Sequence, residues 1–247
     1  MAAGRELTSG AVEAELLAWS RANGHDLPWR RRRDPYAVLV SEVMLQQTQV
    51  PRVVPRFERW LERWPTVEAL AAAGLDEVIR EWQGLGYNRR AVSLHRAAVL
   101  VAERGWPDDL TELPGVGEYT ASAIRRFAFG DDVLPVETNV LRVIERTGAS
   151  FSPAAAEALM DLGREVCLAR IPRCDVCPLS SACPSVGRRY EPLRKQSRFE
   201  GSFRQRRAET LRQVAEGHSS GLDADAVASL ERDGLVEVRS GLARLPE

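Results

Sequence analysis

Four cysteines confined to residues 167–183, Cys167, Cys174, Cys177 and Cys183, constrain this chain more than any other feature. They are the four cysteines of the whole sequence, so nothing outside that stretch can pair with them. Two local disulfides are one outcome. Met1–Leu17, however, has no basic segment followed by an apolar run, so the expected setting is a reducing cytosol in which disulfides do not persist. Tetrahedral zinc is a second outcome, although zinc sites usually separate two close pairs by a longer finger. Here a central C-x2-C pair is flanked by single cysteines, in the pattern C-x6-C-x2-C-x5-C. Four thiolates spaced in this way favour a [4Fe–4S] cluster. Arg170, Arg173, Arg188 and Arg189 lie between and beside them, and a tied loop of this kind can present a cationic surface to phosphates.

Composition narrows the rest. At 247 residues with 44% hydrophobic and 28% charged side chains, the chain can bury a core in one or two domains. No apolar run approaches the ~20 residues of a membrane span, so a cytoplasmic protein is expected, with no membrane partner. A formal net charge of −1 excludes a globally basic nucleic-acid binder but leaves room for local patches. Arg30–Arg33 form one and residues 187–207 form another. An arginine run taken alone reads equally as a solvated face.

Helical signals dominate, so the expected class is all-α. Val12, Leu16 and Trp19 recur at helical spacing before Gly24. Asp34-Pro35 is an N-cap with proline at the first helical position, opening a helix through the segment SEVMLQQT. Further helices are predicted at 52–63, 75–83, 89–104, from near Asn139, and at 154–168. Two helical segments are joined by the tight turn Pro114-Gly115-Val116-Gly117. Residues 191–203 read as a basic linker, and 204–247 as two helices with a hairpin, a small winged-helix-like tail.

Two carboxylates stand out. Glu42 has Val38, Leu39, Leu45 and Gln46 as helical neighbours, a largely apolar stripe, so desolvation would raise its pKa and suit it to general-acid work. The alternative is that it sits at the edge of the stripe and reaches water. Glu137 lies at the start of the next helix, where the positive end of the helix dipole favours an ionised carboxylate. It could equally be a helix cap. Taken together, the two form a pair in which one is an acid and the other a charge stabiliser, as in glycosidic bond cleavage. His95 reads as a packing or surface residue, and Trp60, Trp64 and Trp82 read as core.

LPWR at 27–30, DPYAVLVSEVMLQQTQV at 34–50, GLGY at 84–87, LPGVGEYTA at 113–121, ETNVLRV at 137–143 and MDLGREVC at 160–167 occur in order with the cysteine pattern. In these motifs the chain resembles the MutY-type adenine DNA glycosylases, within the helix-hairpin-helix (HhH-GPD) DNA glycosylase superfamily, over about residues 10–185. The resemblance implies a two-lobed fold. A six-helix lobe would span about 28–132, and an iron–sulfur lobe would join 1–27 to 133–190. It implies base excision repair of double-stranded DNA by a bacterial, nucleoid-associated monomer, with adenine opposite 8-oxoguanine or guanine flipped out and hydrolysed.

By the same resemblance Glu42 protonates the departing adenine, and Glu137 stands where the family has an aspartate that stabilises the oxocarbenium ion. Asn139 holds that part of the site. Tyr119 stands where bifunctional relatives such as endonuclease III carry a Schiff-base lysine, so a monofunctional enzyme without lyase activity is expected. Trp29, Arg30, Met160 and Asp161 line the base pocket. Gln46, Gln47 and Tyr87 probe the base stack, and Gly115, Val116 and Gly117 form the hairpin that grips the backbone. Arg170 and Arg173 contact DNA, and the four cysteines hold the [4Fe–4S] cofactor.

Three departures accompany the match. Glu137 is one methylene longer than the aspartate, and the segment from Asn139 to Cys167 is shorter than in the family. The tail replaces the domain that reads 8-oxoguanine. Two other readings therefore stand beside adenine removal: thymine or uracil removal opposite G, and a catalytically impaired DNA-binding homologue.

Overall fold

The computed structural model describes residues 9–190 and 198–247, so most of the expected linker, 191–197, lies outside the described residues. The chain divides into two compact units, each built from two separate stretches.

One unit joins residues 9–30 to 122–190. It contains α1 (Ser9–Asn23), the short α2 (Pro28–Arg31) at its edge, α9 (Thr138–Thr147) and α10 (Ala156–Glu165). Val12 and Leu16 of α1, Val140 and Val143 of α9, and Leu159 and Leu162 of α10 interdigitate in one apolar core. Cys167 and Cys177 pack against its rim. The helix expected at 154–168 stops at Glu165. There the Val166 and Cys167 N–H groups both fall back on the Leu162 carbonyl (2.9 and 2.7 Å), turning the chain into the cysteine loop.

The other unit joins residues 31–121 to 198–247. It contains α3 (Pro35–Leu45), α4 (Val50–Arg63), α5 (Val67–Ala71), α6 (Leu75–Trp82) and α7 (Arg89–Arg104), and then α8 (Glu118–Ile124), which runs across the boundary between the units. A π-helical turn, Arg125–Phe129, continues α8 until Gly130 ends it in the left-handed conformation. The family resemblance implies a lobe boundary at about 132, whereas the contacts divide the chain after Ala121. Asp34 caps α3 by accepting from the Ala37 N–H (2.9 Å). Nine of the eleven residues of α3 are buried, which makes it a central helix rather than an amphipathic one. Trp60 meets Trp64 and Trp82 edge-on (4.7 and 5.6 Å between centroids), and all three are buried. His95 Nε2 lies 3.0 Å from the Ala73 carbonyl, in a packing role.

The tail contains α11 (Phe203–Ala215), α12 (Ala224–Arg232), and a hairpin of β1 (Glu237–Arg239) and β2 (Leu242–Arg244) in the register Glu237↔Arg244. Ser240 and Gly241 both take positive φ, which suits the tight hairpin turn. The sequence presents 204–247 as a unit of its own. In the structure Leu211, Val214, Leu230 and Leu235 instead share one core with Ile79 of α6 and Val92 of α7. Arg80 seals the seam by donating to the Ala215 carbonyl. The apolar face of α11 and α12 is too small to close on itself and takes its partners from the helices of the lobe.

Among the described residues no helix is long and apolar enough to cross a membrane.

Candidate functional site

Within residues 31–121, Glu42 occupies the last full turn of α3 and is only 7% exposed, rather than lying at an edge in water. The helix ends as the Gln46 N–H returns to the Glu42 carbonyl (3.2 Å). Gln47, exposed, then takes φ +55°. A second loop, Gly84–Tyr87, lies in the same unit. Gly84 is required there, since a Cβ would stand 2.8 Å from Arg56 Nη2 at φ +89°. Tyr87 closes the loop at φ +47°, half-exposed. Thr48 Oγ1 lies 3.3 Å from both the Gln46 and the Leu85 carbonyls and bridges the two loops.

The hairpin turn is closed by the Val116 N–H donating to the Leu113 carbonyl (3.0 Å). Val116 points inward and is buried, while Gly115 and Gly117 are exposed. At Gly115 a Cβ would stand 2.8 Å from Ser93 Cβ, so glycine allows the turn to lie against α7. Tyr119 follows one residue into α8.

In the unit of 9–30 and 122–190, Asp161 has no exposed surface. Arg30 grips it in bidentate fashion, Nη1 to Oδ2 at 2.8 Å and Nη2 to Oδ1 at 3.0 Å, and Arg164 Nη2 donates to Oδ1 at 2.9 Å. A carboxylate so deeply buried needs such donors to offset its desolvation. Trp29 is buried beside Arg30, and Met160 packs partly against the apolar core. The four expected pocket residues are thus brought into one unit, with Asp161 held between Arg30 and Arg164.

Glu137 is the N-cap of α9. Its Oε2 accepts from the Asn139 N–H (2.8 Å) and from Asn139 Nδ2 (3.1 Å), and its Oε1 accepts from the Val140 N–H (3.1 Å). The longer side chain folds back over the start of its own helix, as the capping alternative requires. Asn139 Oδ1 in turn accepts from Arg142 Nη2 (2.5 Å). Arg142 also donates to the carbonyls of Gly163 and Cys167, both at 2.7 Å. A continuous hydrogen-bonded path therefore runs from Glu137 to the first cysteine.

No disulfide joins the four cysteines, and all four line one cavity of about 400 Å3 including the part open to solvent. Val143, Leu162, Val166 and Leu179 supply apolar wall. Burial pushes the Cys177 thiol up to about 11, and the Cys183 thiol is raised for the same reason. Among the described residues no three His, Cys, Asp or Glu side chains are grouped so as to hold a metal ion. Four soft thiols around one apolar-walled pocket are a donor set that suits an iron–sulfur group. Arg146, almost fully buried, donates Nη1 to Cys167 Sγ (3.4 Å) and to the Leu168 carbonyl (2.8 Å). Tyr190 lies over its guanidinium at 3.8 Å. Arg170 and Arg173 are exposed on the loop.

Sequence reasoning passed over Arg90, Arg142 and Arg146, the three guanidiniums that knit these loops together. The only signal was apolar residues beside each arginine on its helix.

Residues 40–167 match the family described as HhH-GPD superfamily base excision DNA repair protein. An adenine DNA glycosylase of Mycolicibacterium smegmatis is 46% identical over 195 residues, 67% of this chain and 67% of that protein. An adenine DNA glycosylase of Mycobacterium tuberculosis is 39% identical over 237 residues, 81% of this chain and 77% of that protein. A solved thermostable thymine-DNA glycosylase superposes with a TM-score of 0.65 at 25% identity, covering 71% of this chain and 95% of that one. The chain belongs to the HhH-GPD superfamily of base excision DNA repair proteins, with the mycobacterial adenine DNA glycosylases among its relatives.

Proposed function

We propose that this chain is a monofunctional DNA glycosylase that excises adenine mispaired with 8-oxoguanine or guanine, acting on a nucleotide flipped out of duplex DNA. The observation that carries this reading is Glu42, a carboxyl 7% exposed in a helix buried on nearly all sides, in a chain whose relatives are adenine DNA glycosylases. A carboxyl at this position is the group assigned to hand a proton to the departing base. The glycosidic bond breaks to leave an oxocarbenium ion, water adds to the sugar carbon, and the proton that water loses returns to a carboxylate or to solvent.

Glu137 is the carboxylate assigned to the oxocarbenium charge. A carboxylate offers about four acceptor sites, and three donors hold Glu137 in place. That leaves it anchored with acceptor capacity to spare. Folding back over its helix start gives the longer glutamate a fixed position. Tyr119 offers no amine to attack the sugar, which fits hydrolysis without strand cleavage. Arg30, aimed by Asp161, lines the base pocket with Trp29 and Met160. Gln46, Gln47 and Tyr87 probe the base stack. The hairpin Gly115–Gly117 and the loop arginines Arg170 and Arg173 meet phosphates.

Cys167, Cys174, Cys177 and Cys183 would hold a [4Fe–4S] cluster, which would supply four iron–thiolate bonds that tie the loop to α10. Hydrolysis transfers no electrons, so the role assigned to it is structural. The protein works as a monomer on nucleoid DNA in the bacterial cytoplasm.

The test is a panel of duplexes bearing single mismatches, assayed for abasic sites by alkali cleavage. Cleavage at A opposite 8-oxoguanine or G, abolished in Glu42→Gln and Glu137→Gln with binding retained, is the expected result. Cleavage at T or U alone would move the substrate to thymine or uracil. Binding without cleavage of any duplex would make the chain an impaired homologue. Strand nicking without alkali would contradict the monofunctional assignment.

A further inference from the structure

Two loops of residues 31–121 carry the side chains assigned above to the base stack, and a single guanidinium holds both. Arg90, the second residue of α7, donates Nη1 to the carbonyls of Val43 (2.6 Å), Met44 (3.3 Å) and Gln46 (2.6 Å). Its Nη2 donates to Gly86 O (3.1 Å), Thr48 Oγ1 (3.2 Å) and Leu85 O (3.4 Å). Its Nε and backbone N–H both point at the Tyr87 carbonyl (3.4 and 2.9 Å). The guanidinium lies near the Trp82 and Tyr87 rings, at 5.3 and 5.5 Å from their centroids.

Three needs converge on this one side chain. Val43 and Met44 carry carbonyls of the last turn of α3, which no intrahelical donor reaches. Gln47 and Tyr87 are non-glycine residues held in the left-handed region, a conformation that persists only where the surroundings over-determine it. Arg90 bonds the residues on both sides of Gln47 and the backbone of Tyr87 itself. A planar fork with five N–H donors can span these acceptors, whereas an ammonium has three donors on a single atom.

We infer that Arg90 is a positioning residue that locks the Gln47 and Tyr87 loops into one unit, so that both side chains engage a duplex together. This rests on the assignment of Gln47 and Tyr87 to the base stack. Burial lowers the Arg90 pKa to about 10, so the side chain remains cationic at neutral pH and its bonds stay charge-assisted. Thr48, bonded to the same guanidinium and bridging the same loops, is the second member of the lock.

The test compares full-length wild type, Arg90→Lys and Thr48→Val on duplexes with 2-aminopurine beside an A opposite 8-oxoguanine pair. The readouts are thermal stability, affinity for undamaged duplex, the fluorescence rise on unstacking, and single-turnover excision. Arg90→Lys should fold, hold undamaged duplex within about threefold of wild type, and lose most of the fluorescence rise. Its excision rate should fall roughly 10- to 100-fold, the scale set by misplacement of about 1 Å. Thr48→Val should shift the same two readouts in the same direction by less.

Wild-type fluorescence and rate in Arg90→Lys overturn the inference. So does a loss of undamaged-duplex affinity in proportion to the loss of unstacking, which would mark general damage to the fold. If Arg90→Lys fails to fold, Thr48→Val decides, and a Thr48→Val protein indistinguishable from wild type overturns the lock. A wild type that unstacks no mismatch overturns the base-stack assignment and the inference with it. A responsive wild type beside an unaffected Arg90→Lys overturns the inference alone.

Discussion

Adding one methyl group at Gly163 tests how tightly the carboxylate of Glu137 is tied to the packing of α9 on α10. A Cβ at Gly163 would stand 2.7 Å from Asn139 Cβ and 2.9 Å from the Asn139 carbonyl oxygen. Ordinary contact begins near 3.4 Å, so the helices must part by about 0.7 Å. Neither obstacle is the end of a flexible side chain that could swing away. Overpacking of this kind costs about 1–3 kcal/mol. For a chain of this size that lowers Tm by roughly 2–12 °C.

The kinetic effect follows from what Asn139 holds. Its N–H and its side-chain amide both bind Glu137 Oε2, so a shift of Asn139 carries the carboxylate with it. A misplacement approaching 1 Å corresponds to a rate loss of up to about 100-fold. Gly163→Ala should therefore excise at roughly one tenth to one hundredth of the wild-type single-turnover rate, with duplex affinity little changed. Gly10→Ala is the control, since a Cβ at that position in α1 meets nothing within 4 Å. It should add about 0.5–1 kcal/mol of stability and leave the rate alone. The reasoning is refuted by a Gly163→Ala protein with wild-type Tm and an excision rate within twofold of wild type.

Other perturbations probe different parts of the structure. Arg142→Met leaves the Gly163 and Cys167 carbonyls and Asn139 Oδ1 without this donor. At about 1–3 kcal/mol for each orphaned acceptor, discounted for partial exposure, urea denaturation should show a loss of about 2–4 kcal/mol; an unchanged midpoint contradicts this. Leu230→Ala, at a position 1% exposed in the tail, should cost about 2–5 kcal/mol. Hydrogen exchange should then rise in α6 around Ile79 as well as in α12, and a change confined to the tail would contradict the shared core. Cys174→Ala should lose iron, solubility and DNA affinity together; a soluble, fully active variant would contradict the structural role assigned to the cluster.

Local chemistry made much of this legible in advance. Asp34-Pro35 announced the start of α3 because a cap and a preset φ act within four residues. Gly105 stopped α7 because only a glycine takes its φ of +77° easily. The cysteines were legible because their chemistry depends on type and spacing. α5 was not, because five residues hold too little periodicity to register. The arginine hubs were also hidden. A guanidinium at the start of α7 reads as solvated surface until tertiary packing brings seven acceptors to it, and no pattern along the chain reports where those acceptors will be. Glu137 was legible both as a cap and as a site carboxylate, and the hydrogen bonds of α9 show the cap.

The two units interleave along the chain, and this sets an order for folding. Residues 9–30 wait for 122–190, and residues 31–121 wait for 198–247. As the polypeptide leaves the ribosome, Ile79 and Val92 emerge more than a hundred residues before Leu230 and Leu235, the side chains that cover them. Helices α6 and α7 therefore meet water with a bare apolar face throughout most of synthesis. Loop closure over such separations is slow, and uncovered faces invite association between nascent chains. The tail thus completes its own lobe last, shielding surface that the early residues cannot hide by themselves.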